Sequence, residues 1–302
     1  MPPIPPPPLI PKALAGQTGY LARLAFLRAV QWAEAAFPDD VHPRYFGVLT
    51  TLMELGPRSQ HELSVALHIN RTIMVQLIDE LEASGLVERR RNPDDRRSYA
   101  LRVTVEGKRA LEQMKSPVLR GEQGLTQPLS ATERRRLRDL LRRVILAGEE
   151  HQTIPHGLAE QTGYLLAAAH FQLRERFEQA LREAGIEPVH FGALATLEAI
   201  GPCSQQAIAQ QLSVSGTAIL QVVDRFEAAG LVKRRRNPAD RRSYALEMTP
   251  KGHATLRRAH KALASVNAEL ATMLGGEPAE RELHALLAKL LGASGQSDPG
   301  PA

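Results

Sequence analysis

Residues 45–111 of the 302-residue chain align on residues 190–256 without a gap, at an offset of 145, and 33 of those 67 positions are identical. The repeat extends further. QTGY at 17–20 returns at 161–164, FGVLTTL at 46–52 returns as FGALATL at 191–197, and GPRSQ at 56–60 returns as GPCSQ at 201–205. The densest match is RRRNPDDRRSYAL (89–101) with RRRNPADRRSYAL (234–246). Two copies, each long enough to close its own core, make a tandem duplication and exclude a solenoid of many short repeats. The length agrees, at ~150 residues for each of two domains.

Composition narrows the class. A hydrophobic fraction of 43% is enough to bury a core, so wholesale disorder is excluded. A single cysteine, Cys203, excludes an intrachain disulfide framework and a zinc ribbon. No stretch reaches the ~18 apolar residues of a membrane span. The start, MPPIPPPPLIP, has neither the basic lead nor the small-residue cleavage site of a secretory signal. A soluble, cytoplasmic protein is expected, with no membrane partner. The net charge is +5, and 31 of the 38 basic residues are Arg, whose planar fork suits phosphates and guanine edges.

Each copy reads as mostly helical with one short ribbon. In copy 1 the apolar spacing predicts helices over 17–36 and 44–55, the second stopped by Gly56-Pro57. Ser59-Gln60-His61-Glu62 is a capping box that opens a short helix to about Leu67. His68-Ile69 is a tight turn, and a longer helix runs from Asn70 to Ser84, closed by Gly85. Its inward positions are Met74, Leu77, Ile78 and Leu81. LVERRR and SYALRVT form two β-arms around Asn92-Pro93-Asp94-Asp95, and helices follow over 105–123 and 131–147. Copy 2 repeats the plan, with helices near 158–184, 188–199, 204–212, 215–229, 250–274 and 278–291 and a ribbon at 231–249. The expected organisation is a disordered Pro-rich head over 1–12, a first domain over 13–147, a linker over 148–157, a second domain over 158–292 and a disordered tail over 293–302.

A short helix, a tight turn, a longer helix and a ribbon make a winged helix-turn-helix. The second helix of such a pair can enter the ~12 Å wide major groove, and the ribbon, or wing, reaches an adjacent groove or backbone. A wing that meets DNA has to be basic. Residues 88–97 carry five Arg against one Glu and two Asp, and residues 233–242 carry six basic residues against one Asp. A single such run is ordinarily a solvated face; its recurrence after a capped helix-turn-helix in both copies points to nucleic acid instead.

The segments LVERRRNPDDRRSYALRVTVEG and LVKRRRNPADRRSYALEMTPKG, each preceded by LIDELEASG or VVDRFEAAG, resemble the MarR (multiple antibiotic resistance regulator) family over nearly the whole of both halves. The D-R-R wing followed by a Thr-x-x-Gly helix start carries the resemblance. It implies a mainly α fold of two winged helix-turn-helix domains with short β-wings, joined by interleaved N- and C-terminal helices in a pseudo-twofold, dimer-like arrangement. It also implies a repressor released by a small aromatic or phenolic effector. The family has one winged helix per chain and acts as a homodimer, so a chain holding two reads as a covalent pseudo-dimer, with a further intermolecular dimer as the alternative. By the same resemblance Arg96, Arg97, Arg241 and Arg242 contact the minor groove, and Asp95 and Asp240 pair with a neighbouring Arg to fix the wing.

The copies agree at 12 of 13 wing positions (89–101 against 234–246), but 70–76 and 215–221 share only Thr and Gln. Phosphate contacts position a protein and base contacts specify sequence. One docking mode with two different half-sites is therefore expected, the half-site centres lying one turn (~34–36 Å) apart. The candidate readers are Arg71, Thr72, Ile73, Val75 and Gln76 in copy 1, and Thr217, Ala218, Leu220 and Gln221 in copy 2. Arg71 suits a guanine, Gln76 and Gln221 an adenine, and Val75 and Leu220 a thymine methyl, each good bidentate pair discriminating by ~1–3 kcal/mol. Gln60 and Gln205, on the first turn of the leading helix, are candidate phosphate contacts, as are Arg89, Arg91, Arg234 and Arg236 on the wing arms.

Tyr20, Trp32, Tyr45 and Phe46 in copy 1, and Tyr164, Phe171 and Phe191 in copy 2, either line an effector pocket or fill the core. No Gly-rich phosphate loop, nucleophile elbow or metal-ligand spacing appears, so no enzyme, cofactor or metal is expected. The rival readings are a winged helix that binds proteins and an architectural protein that binds any DNA.

Overall fold

Gly85 and Gly230 close the second helix of each helix-turn-helix at φ 69° and 67°, a left-handed turn that residues with a side chain rarely adopt. After that turn Leu86 N donates to the Leu81 carbonyl and Leu231 N to the Phe226 carbonyl, and the chain enters the wing. In the computed structural model, residues 10–91, 99–147, 154–212, 214–237 and 240–292 are described, of which 12, 13, 189, 236, 237 and 240–243 by backbone alone. The elements of copy 1 are α1 (Lys12–Ala15), α2 (Thr18–Ala36), α3 (Arg44–Leu55), α4 (Gln60–Ala66), α5 (Arg71–Ala83), β1 (Val87–Arg91), β2 (Tyr99–Val103), α6 (Val105–Thr126) and α7 (Ala131–Leu146). Those of copy 2 are α8 (His156–Ala159), α9 (Thr162–Glu183), α10 (Pro188–Ile200), α11 (Gln205–Leu212), α12 (Gly216–Ala228), β3 (Val232–Asn237), β4 (Asp240–Met248), α13 (Pro250–Leu274) and α14 (Glu277–Leu290).

The caps set the helix starts where the sequence places them. Ser59 and Glu62 close a complete capping box on α4, and Ser130 and Glu133 close another on α7. Thr104 and Thr249 cap α6 and α13, accepting from the amides of Gly107 and Gly252. Each wing is a two-stranded antiparallel ribbon, with Arg89 opposite Leu101 in one and Arg234 opposite Leu246 in the other. A third segment pairs with each ribbon, Arg58 bridging Leu101 and Cys203 bridging Leu246.

The chain divides into two compact units, but not at the join between the copies. Unit 1 holds residues 25–172, and unit 2 holds residues 10–24 with 173–292, so the boundary falls inside α2 and inside α9. In unit 1, Val48, Leu49 and Leu52 of α3 pack with Leu63 of α4, with Met74, Ile78 and Leu81 of α5 and with Val87 and Leu101 of the wing root. In unit 2, Leu194 and Leu197 of α10 pack with Ile208, Ile219, Val223, Phe226, Val232, Leu246 and Leu256.

Each core is finished by a piece of the other copy. Leu14 of α1 is buried in the unit 2 cluster and α1 packs on α10, while Leu158 of α8 is buried in the unit 1 cluster and α8 packs on α3. Polar contacts fasten the exchanged starts. In unit 1, Gly157 N donates to Glu54 Oε1 at 2.8 Å, Thr162 N donates to Glu122 Oε2 at 2.9 Å, and the Tyr164 hydroxyl donates to the Ala66 carbonyl at 3.1 Å. In unit 2, the Thr18 hydroxyl donates to Glu280 at 2.5 Å. Burial raises the Glu122 pKa, against the downward pull of its Thr162 and Gly163 bonds and of Arg138.

Three expectations change. The head does not run to residue 12, because Pro11 is buried and Lys12 starts α1. The linker does not run to residue 157, because His156 and Gly157 belong to α8, anchored on α3. The single helix expected from 158 is two, broken at Glu160 and Gln161, with Leu158 turned into the unit 1 core. The rest of the expected head, linker and tail lies outside the described residues.

Candidate DNA interface

The inner and outer faces of the reading helices separate cleanly. Met74, Leu77, Ile78 and Leu81 of α5 are buried, as are Ile219, Val223 and Phe226 of α12, while Val222 is half-buried. The opposite face of α5 exposes Arg71, Thr72, Val75 and Gln76, with Ile73 half-buried. That of α12 exposes Thr217, Ala218, Leu220 and Gln221. Val75 and Leu220 are 41% and 39% exposed on these faces.

The helix starts differ. Asn70 caps α5 by accepting from Thr72 N at 2.7 Å, whereas Ser215 caps α12 by accepting from Ala218 N at 3.2 Å. Arg71 and Gly216 hold the same first position of the two helices. Gln60 and Gln205 are half-buried at the starts of α4 and α11, and the Gln60 side-chain nitrogen turns inward without an acceptor. Beside it, Glu62 carries a lowered pKa: burial pushes it up, but its Ser59 bonds and nearby Arg58 win.

On the wings, Arg91 is exposed at the end of β1, opposite Tyr99. Arg236 stands opposite Tyr244 in the matching register. Tyr99 and Tyr244 are 55% and 53% exposed, and sequence reasoning missed both. The alternation that buries Leu101 and Leu246 was the available signal, since it carries each Tyr one step further out on the same face. Arg90 and Arg235 are also exposed, each bonded to a wing carboxylate, Glu88 at 2.7 Å and Glu247 at 2.8 Å. The expected contacts Arg96 and Arg97, with Asp95, lie outside the described residues. Asp240, Arg241 and Arg242 belong to β4, with their side chains outside the description.

Arg89 and Arg234 are each paired with two carboxylates of the neighbouring helix. Arg89 meets Asp79 at 2.5 Å and Glu82 at 3.1 Å, and Arg234 meets Asp224 at 2.9 Å and Glu227 at 3.1 Å. Two carboxylates more than neutralise each guanidinium.

The aromatic sets expected around a pocket are divided differently. Tyr20, assigned by sequence to copy 1, packs on the unit 2 core, and Tyr164, assigned to copy 2, packs on the unit 1 core. The cause is that the start of α2 follows α1 into unit 2, and the start of α9 follows α8 into unit 1. Phe171 also belongs to unit 1, where it meets Phe26, His170 and His68, while Tyr45 and Phe46 flank the unit 1 core and Phe191 is buried in unit 2. The Tyr45 hydroxyl donates to Glu80 at 2.6 Å, and burial with that bond pushes its pKa up to about 12. Burial likewise pushes the Cys203 thiol up, away from the reactive thiolate. No helix among the described residues is long and apolar enough to cross a membrane.

Two sequence models of the MarR family match the chain, over residues 43–99 and 184–243. The chain is 33% identical over 138 residues to a regulatory protein named for the hcr operon of Thauera aromatica, a match spanning 45% of this chain and 83% of that one. It is 30% identical over 136 residues to the HTH-type transcriptional repressor Rv2887 of Mycobacterium tuberculosis, spanning 44% of this chain and 97% of that one. Among solved structures, the repressor CouR bound to a 23-mer DNA duplex is 33% identical over 45% of this chain and 95% of its own, with a TM-score of 0.42. The chain belongs to the MarR family and is a DNA-binding transcription regulator with two winged helices in tandem.

Proposed function

We propose that the chain is a repressor reading an asymmetric operator, each unit taking one of two unlike half-sites, with release by a small aromatic effector. The observation that carries this is the contrast within the repeat. The wings are nearly identical, whereas the outward faces of α5 and α12 differ at Arg71, Ile73 and Val75 against Gly216, Ala218 and Leu220. Shared backbone contacts with divergent base contacts give one docking mode and two sequence preferences. In this assignment Arg71, Gln76, Thr217 and Gln221 read base edges, and Val75 and Leu220 touch thymine methyls. Arg91 and Arg236 hold the backbone, and Arg96, Arg97, Arg241 and Arg242 meet the minor groove. Because each core is completed by the other copy, one polypeptide does the work for which the family otherwise needs two.

Selecting bound duplexes from random DNA tests the proposal. The selected site has two different halves and binds ~10³-fold or more tighter than a scrambled duplex at physiological salt. A palindromic site, or equal affinity for the scrambled duplex, refutes it. Sizing in solution checks the single-chain claim: a 33.2 kDa species that binds DNA agrees with it, and an obligate species of twice that mass does not.

A further inference from the structure

Among the described residues, one arginine of each wing is held by two carboxylates of the preceding helix. Arg89 stands on β1 opposite buried Leu101, one step nearer the root than Arg91. Its Nη2 lies 2.5 Å from Asp79 Oδ1 and its Nη1 3.1 Å from Glu82 Oε2, two carboxylates three residues apart on α5. Unit 2 builds the same object. Arg234 Nη2 lies 2.9 Å from Asp224 Oδ1 and its Nε 3.1 Å from Glu227 Oε2, both on α12. All three residue types are identical in the two copies, although the exposed positions Arg71, Val75 and Glu80 of α5 have become Gly216, Leu220 and Arg225 on α12.

The chemistry is odd for a DNA contact. Two negative groups placed beside a polyanion repel it, and they leave the guanidinium no surplus charge for a phosphate. Stability does not explain the pairing either, since each guanidinium is 35% exposed and ion pairs at such exposure add little. A guanidinium fork held at two points does fix an angle, because its donors are planar and rigid. The two elements it joins are the helix that enters the groove and the ribbon that grips the backbone beside it.

We propose that Arg89 and Arg234 are positioning residues, each bracing a wing to its reading helix through two carboxylates, so that both parts meet DNA already in register. They touch no phosphate. The bound geometry is then present before binding, and the ordering cost of a loose wing is avoided. Since DNA binding by both units is the function proposed above, the test begins with the selected duplex and the full chain.

Three variants are compared with wild type: Arg89→Ala, the pair Asp79→Asn with Glu82→Gln, and all three changes together. The brace predicts that each weakens binding by about tenfold, that the triple variant is no worse than either part, as in a single ion-pair network, and that thermal stability barely moves. It also predicts an unchanged dependence of affinity on salt, because no phosphate contact is lost. A direct phosphate contact predicts the opposite pattern. Removing two negative charges would then tighten binding, and Arg89→Ala would reduce the salt slope by about 0.9. Tightening by the paired neutralisation, or a flattened slope in Arg89→Ala, overturns the proposal while leaving DNA binding intact. A wild-type chain that binds no duplex even at low salt overturns DNA binding, and the brace with it.

Discussion

Replacing Gly107 by Ala puts a methyl group where the wing root has no room. Gly107 is the third residue of α6, and its amide donates to the Thr104 hydroxyl at 2.9 Å. That hydroxyl in turn donates to the Gly85 carbonyl at 2.7 Å, which ties the helix start to the turn after α5. A Cβ on Gly107 would stand 2.0 Å from the Leu86 carbonyl oxygen and 2.8 Å from Val103 Cγ1. The first figure is about 1.4 Å short of the 3.4 Å at which ordinary contact begins. Since the obstacle is backbone, no rotamer relieves it; β1 must move. Overpacking of this kind costs ~1–3 kcal/mol, and a backbone obstacle belongs at the upper end. Ala offsets up to ~1 kcal/mol of that through its helix propensity. The net loss is then about 2 kcal/mol, or a fall of ~4–8 °C in the melting temperature of a unit this size. Gly47→Ala is the control, because its Cβ meets nothing nearer than Leu67 Cδ2 at 3.5 Å and propensity alone should act. Melting followed by circular dichroism at fixed pH distinguishes the two. If Gly107→Ala melts at or above wild type, as Gly47→Ala is expected to, the steric account of the Thr-x-x-Gly start is wrong. DNA affinity should fall with stability in Gly107→Ala, because Leu86 leads directly into the wing.

Gly216 has open space at its Cβ position, so Gly216→Arg should place a guanidinium on α12 where Arg71 stands on α5. Selection from random DNA should show a new guanine preference in the unit 2 half-site, worth ~1–3 kcal/mol, and Arg71→Gly should lose one in the other half. Recovery of the wild-type site by both variants would remove Arg71 from the readers. His190 is buried against Phe226, and its pKa is lowered, first by burial and then by Arg225, against an upward pull from Glu187. The native state therefore takes up the proton less readily than the unfolded chain, which does so near the ordinary value of 6.5. Its contribution to stability is complete above that pH and declines as pH falls below it. His190→Leu should flatten the loss of unit 2 stability between about pH 7 and pH 5.5; equal slopes in variant and wild type would contradict the assignment.

The helices were legible because their ends are written locally. Capping boxes at Ser59 and Ser130, threonine caps at Thr104 and Thr249 and left-handed glycines after the reading helices act within a few residues. The split between inward and outward positions of α5 and α12 followed from the 3.6-residue period alone. Which core a segment completes was not legible. Leu14 with Tyr20, and Leu158 with Tyr164, precede the same winged-helix plan in the same order, and apolar spacing states that a residue is buried without stating where. The brace was hidden for a related reason. Arg89 sits inside a run of like charges, and its partners lie seven and ten residues away on another element, so a net-charge count assigned it to DNA. Tyr99 and Tyr244 were overlooked because an aromatic on a strand ordinarily packs inward, and only the burial of Leu101 and Leu246 shows where the core ends.

The reciprocal seating of Leu14 and Leu158 bears on how such a chain evolves. In a homodimer one gene writes both reading helices, so every change is made twice and the operator must stay a palindrome. Here the hydrophobic plug of each half is supplied by the other, and splitting the gene would strip a plug from both products. On the asymmetric-operator proposal, halves joined in this way are free to drift toward separate vocabularies, and a mutation in one reading helix retunes one end of the site without disturbing the other.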